Sequence, residues 1–323
     1  MYPLLSRPWL RSAAAGALVW IGLVAAPIDP AYGIGTIEVL FLLAPLVVAP
    51  LGFELIEGAT GRLFALSRAR VLMQAIAAFL AVASYFFPPG PVAGLLAAPW
   101  GVVTVAAGVS GLAALRGGAW RRSESLCFVA PLLTLPVGGV GLLQSRLGIA
   151  ALGYGEPLLL LVAVHFHYAA FVSPLLAGAV IRQFGEAPPL LRRAFGLLAL
   201  CVCVGSPVLA AGYVLFVPLL RVVGAGLLVS GLGVVSLLTL AALPSVRGWW
   251  SRTLLAGASL CLPAAMLYAA VYAVADFFGR VWIAIPHMAR THGVVNALGA
   301  GVCGLLGWAI ASGGVSTTSE RRE

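Results

Sequence analysis

Residues Leu158–Leu176 read "LLLLVAVHFHYAAFVSPLL". The stretch has no Asp, Glu, Lys or Arg, and its length is close to the ~20 helical residues that cross a bilayer core. Yet His165 and His167 stand at its middle with Tyr168 beside them. Lipid offers an imidazole no solvation, so such a residue faces a bundle interior or a wet cavity.

Composition extends this reading to the whole chain. Of 323 residues 62% are apolar and 9% charged, and the mean hydropathy is +1.07. A soluble domain needs about a quarter of its residues charged to cover its surface. The chain therefore reads as an all-α, polytopic transmembrane helix bundle, a single transmembrane domain over 1–323. It has no soluble domain, and a short polar tail at 312–323. Its surroundings are the lipid bilayer. The net charge of +9 does not point to nucleic acid, because the arginines are spread thinly over short loops and form no run. Cys127, Cys201, Cys203, Cys261 and Cys303 all lie in apolar runs without CxxC spacing, and read as small polarizable packing residues.

Hydropathy places about ten spans, at 11–27, 36–57, 70–87, 91–115, 124–144, 156–181, 194–217, 220–243, 252–275 and 288–311. Their separators are short and rich in Gly, Pro and Arg. With both termini in the cytoplasm, the inner segments hold Arg7, Arg11, Arg62, Arg68, Arg70, Arg116, Arg121, Arg122, Arg182, Arg192, Arg193, Arg247, Arg252, Arg321 and Arg322. The outer segments hold only Arg146, Arg221, Arg280 and Arg290. An excess of basic residues on one side orients a protein in the cytoplasmic membrane of a bacterium. A basic start and the small residues Ala25 and Ala26 also fit a cleaved leader, which would leave nine spans in the same orientation.

Two spans share a pattern, "APLVVAP" (44–50) and "APLLTLP" (130–136). Pro45, Pro50, Pro131 and Pro136 remove backbone donors and free carbonyls about one turn earlier. In lipid those carbonyls need a neighbouring helix, a hydroxyl or a trapped water. The match reads as two coincidental kinks or as the trace of an inverted repeat. Gly293, Ala297 and Gly301, at four-residue spacing in the last span, invite close helix approach.

The polar residues within spans are few. His165 lies about 13–14 Å below the start of its span, and Asn296 about as far below His287. Pro45 reaches the same level. Residues i and i+2 stand about 200° apart on a helix, so His165 and His167 face opposite ways and cannot share one metal ion. His292 and Asn296, at i and i+4, share a face. A substrate or proton site drawing on one of the paired histidines, Tyr168, His292 and Asn296 is expected, with Glu38 and Asp276 at its mouth. Simple helix-pinning hydrogen bonds are the alternative for each histidine. Trp100, near a span end, reads as part of the interfacial belt.

The segments "EVLFLLAPLVVAPLGFEL" (38–55), "HFHYAAF" (165–171) and "THGVVNALG" (291–299) together resemble the YndJ-like family of bacterial membrane proteins. The resemblance implies a shared fold and a shared polar layer around His165, His167, His292, Gly293 and Asn296; it supplies no reaction or substrate. No nucleophile elbow, phosphate cradle or HExxH occurs. The expected role is a transporter-like carrier of a small molecule or ion. A membrane enzyme or electron-transfer protein with metal or haem on its histidines is the second reading. A structural or assembly role is the third. No cofactor is assigned.

Overall fold

The computed structural model describes residues 7–27, 34–60, 68–150, 153–185 and 187–313. Most of the polar tail expected at 312–323, with Arg321 and Arg322, lies outside them, as does Arg62.

Among the described residues, ten helices follow one another where hydropathy puts them: α1 (Pro8–Ala25), α2 (Thr36–Thr60), α3 (Arg68–Ser84), α4 (Pro91–Arg116), α5 (Ser123–Leu147), α6 (Leu158–Gln183), α7 (Pro189–Val214), α8 (Pro218–Ala242), α9 (Trp249–Phe277) and α10 (Ile285–Ser312). Nine are long and apolar enough to cross a membrane. The exception is α3, whose 17 residues reach about 25 Å. The chain is a multi-pass helix bundle.

Successive helices run antiparallel, so each turn lies at one of two ends. The end carrying Thr36, Pro157 and Ile285 is called upper here, the other lower. Proline opens α1, α4, α7 and α8 at the first helical turn, where its missing N–H has no intrahelical role.

α2 occupies the centre. Its sequence is apolar on every side, the pattern of a fully enclosed helix, and nearly all residues from Leu40 to Ile56 are buried. α1, α6 and α10 pack directly on it. On α1, Gly16 lies against the carbonyl of Leu46; a β-carbon there would overlap that oxygen.

Three helices are irregular, each for a legible reason. Within α2, Ala44–Val48 forms a π-helical turn. Pro45 and Pro50 stand five residues apart, the period of π-type i→i+5 bonding. The Ala44 N–H bonds Phe41 and the Ala49 N–H bonds Ala44, so the carbonyls of Leu40 and Pro45 face prolines and lose their helical donors. Side chains replace them: the Tyr168 hydroxyl donates to Leu40 O at 2.9 Å and Gln74 Nε2 to Pro45 O at 2.8 Å.

α6 is interrupted between Leu158–Tyr168 and Val172–Gln183. There the N–H groups of Ala169 (2.7 Å) and Ala170 (3.1 Å) both bond the His165 carbonyl. Pro174 cannot donate to Ala170, whose carbonyl lies 3.4 Å from the Thr134 hydroxyl. The same remedy recurs in α9, where Pro263 leaves Ser259 O to the Ser236 hydroxyl at 2.6 Å. In α10, π-helical turns occupy Ala289–Gly293 and Val295–Val302.

α5, by contrast, stays a continuous α-helix through Pro131 and Pro136. Its heptapeptide therefore matches that of α2 in letters and not in conformation, which removes the support for an inverted repeat.

Candidate functional site

The three irregular segments meet: the first half of α6 and the π-turns of α2 and α10 are in mutual contact. Every histidine inside a span lies on two of them.

His167 faces into the protein, only 1% exposed. Its ring stacks on Trp100, at 5.7 Å between centroids, and meets Phe41 edge-on at 5.4 Å. Both nitrogens are engaged. The Trp100 indole N–H donates to Nε2 at 3.0 Å, and Nδ1 lies 2.7 Å from the Ala163 carbonyl. An indole N–H only donates and a carbonyl only accepts, so the ring is the neutral Nδ1–H tautomer. A β-carbon on Gly138 would stand 2.6 Å from Nδ1, so the absent side chain makes the imidazole's space. His167 is tied into a cross-bundle pin, and Tyr168 into α2 through Leu40.

His165 points the other way and is exposed, as the 200° separation requires. Nδ1–H donates to Leu161 O at 2.8 Å, one turn back on the same helix. His292, half-buried on α10, donates Nδ1–H to Ala265 O of α9, also at 2.8 Å. Among the described residues nothing bonds Nε2 of either ring. The first half of α6 contacts α10 along Val295–Val302. Asn296, on the same helix as His292, is half-buried, and its amide has no partner among the described residues. Gly293 brings α10 against Leu40 of α2, where a β-carbon would meet Leu40 Cδ1 at 2.8 Å. α6 and α10 therefore carry two imidazole nitrogens and a carboxamide without hydrogen-bond partners among the described residues.

Above them, at the upper end, a cavity of about 620 Å³ is lined by residues including Glu38, Tyr272, Asp276, Arg280, Trp282 and Arg290. The histidines lie below this cavity and do not line it. Glu38 and Asp276 do, but each also has a structural partner. Glu38 accepts the Gly35 N–H at 2.9 Å, closing the first turn of α2. Asp276 pairs with Arg221 at 3.0 Å. No cluster of three or more His, Cys, Asp or Glu occurs among the described residues.

The model of the YndJ-like protein family matches residues 39–300, most of the chain. The chain belongs to the YndJ-like family. It is similar to the uncharacterized membrane protein YndJ of Bacillus subtilis (strain 168), at 26% identity over 302 residues. That alignment covers 93% of this chain and 53% of the relative, so the chain spans about half the relative's length. No solved structure matches.

In this YndJ-like chain two participants, Trp100 and Gly138, escaped the sequence reading. Trp100 reads as an interfacial residue near a span end. It is instead wholly buried, with its N–H on His167. Ten residues down α4 it reaches the histidine level, and depth counted from Pro91 would have shown this. Gln74, whose polarity inside an apolar helix marks it from sequence alone, carries the Pro45 carbonyl. Gly138 left no signal, because a glycine's neighbour across the bundle is a tertiary fact.

Proposed function

We propose that this YndJ-like protein is a carrier in the bacterial cytoplasmic membrane, with its upper end outside and its binding site in a crevice at His165, His292 and Asn296. The observation that carries the reading is a set of polar groups without protein partners, at mid-depth, where three irregular helices converge. Hydrocarbon cannot satisfy an imidazole nitrogen or a carboxamide, so the crevice calls for a polar occupant. Broken helices at the bilayer midplane are where many carriers bind substrate and coupling ion, because irregular backbone there can line a cavity. Histidine can change its charge near neutral pH and so couple protonation to movement. The cavity with Glu38 and Asp276 forms the outer entry. Arg280 and Arg290 share it, so the entry carries both signs. His167 and Tyr168 hold the walls.

Reconstitution tests this. Vesicles containing the protein and a pH-reporting dye, offered a panel of small ions and solutes, are expected to show solute-dependent proton movement. His165→Ala, His292→Ala and Asn296→Ala each abolish it while the protein stays folded and membrane-inserted. Undiminished movement in both histidine variants overturns the reading.

A further inference from the structure

The cavity at the upper end, which the carrier reading takes as its outer entry, is charged in a way that narrows what it admits. Arg146, Arg221, Arg280 and Arg290 stand at that end, although basic residues are depleted on the outer side of a membrane protein. The first two are engaged elsewhere. Arg146 donates to the carbonyls of Ser84 and Phe87, and Arg221 reaches both carboxylate oxygens of Asp276 at 3.0 Å. Arg280 and Arg290 both line the cavity. Both are exposed, and among the described residues neither guanidinium has a hydrogen-bond or ion-pair partner.

The acidic groups of the lining do not neutralise this pair. Asp276 is already matched by Arg221 of α8. Glu38 has one carboxylate oxygen on the Gly35 N–H at 2.9 Å, a bond that leaves its charge in place. Glu38 offsets one guanidinium, and the other positive charge is left over. Such a charge in a cleft with apolar walls draws in solutes of opposite sign. A guanidinium holds a carboxylate or phosphate oxygen pair through N–H donors in one plane. Much of the remaining wall is apolar, with Ile37, Pro157, Val281, Trp282 and Ile283. A volume of about 620 Å³ with apolar walls and a few polar groups fits a small-molecule site, roughly 300–1,000 Å³.

We infer that the upper cavity binds a singly charged organic anion. Arg280 and Arg290 hold its carboxylate or phosphodiester group, and its apolar body lies against the wall that includes Trp282 and Ile283. As a statement of what is carried, the assignment rests on the carrier reading; as a binding site, it stands apart from it.

The test is equilibrium binding of tritiated naphthoate to the full chain in phosphatidylcholine nanodiscs, corrected for empty discs. Saturable binding is expected, and naphthamide, the neutral analogue of the same shape, fails to compete. Arg280→Gln and Arg290→Gln each weaken binding by about tenfold or more, the size of a lost hydrogen bond to a charged group. Glu38→Gln acts in the opposite direction and tightens it, because glutamine still accepts the Gly35 N–H while the repelling charge is gone. Purely structural roles for these residues would not give effects of opposite sign. Arg121→Gln, at an exposed arginine of a lower turn, leaves binding unchanged.

Absence of saturable binding to folded wild-type protein, equal competition by naphthamide, insensitivity to both upper arginines, or weaker binding in Glu38→Gln overturns the site. Discs containing phosphatidylglycerol separate two sources of the anion. Unchanged naphthoate affinity keeps a dissolved solute; competitive displacement keeps the site and assigns it to a lipid phosphodiester. Failure of naphthoate binding leaves the carrier reading intact if the histidine variants still abolish proton movement in vesicles. Naphthoate binding without any such movement sinks the carrier reading and keeps the site.

Discussion

His165 and His167 are two residues apart and differ in almost every physical respect. His167 is enclosed and bonded at both nitrogens. His167→Ala leaves the Trp100 N–H buried without an acceptor and opens a void. A buried group stripped of its partner costs about 1–3 kcal/mol, with the void adding to that. The expected result is a lower unfolding midpoint in denaturing detergent. Trp100→Phe removes the same bond from the other side, so the two substitutions combined fall short of the sum of their separate effects. His165→Ala, at an exposed position bonded only within its own helix, leaves that midpoint almost unmoved. The opposite facing of the pair was legible from helical geometry alone. Which of the two would be enclosed was not, because that depends on Trp100, Phe41 and Gly138 from three other helices.

Among the elements, α2 shows how a proline pair is tolerated in lipid. The π-turn moves the orphaned carbonyls to Leu40 and Pro45, where Tyr168 and Gln74 reach them. Tyr168→Phe is expected to destabilise the fold by about 1–2 kcal/mol, by leaving Leu40 O unpaired. In a Pro45→Ala background a backbone N–H returns to that carbonyl, and the same Tyr168→Phe change becomes nearly neutral. A double-mutant cycle of unfolding free energies checks this; equal effects in both backgrounds would show that Tyr168 does not act through the proline. Sequence supplied the demand for donors, since proline spacing sets which carbonyls go free. It could not name the suppliers, which sit 29 and 128 positions away. Nor could it foresee that the α5 heptapeptide keeps a regular helix.

For the whole molecule, the lean of arginine toward the lower end sets the expected orientation, and two of the four exceptions have structural work. Buried Arg146 donates to the carbonyls of Ser84 and Phe87 at the end of α3; cations are favoured at a helix C-terminus. Arg221 is paired with Asp276. Both are committed to packing, which leaves the bias sharper than a raw count. Single cysteines in a background lacking the native five should confirm it. Trp282→Cys, in the upper turn, reacts with an impermeant maleimide in intact cells, and Gly118→Cys reacts only after lysis. The reverse pattern would invert the carrier's entry and exit.

What the sequence determined by itself is the membrane class and the order of the helices, because those follow from hydropathy along one chain. Partnership was decided only by the tertiary structure. Whether an imidazole ends as a pin or as an open donor depends on which side chain from another helix arrives at its nitrogen, and hydrophobic periodicity carries no record of that meeting.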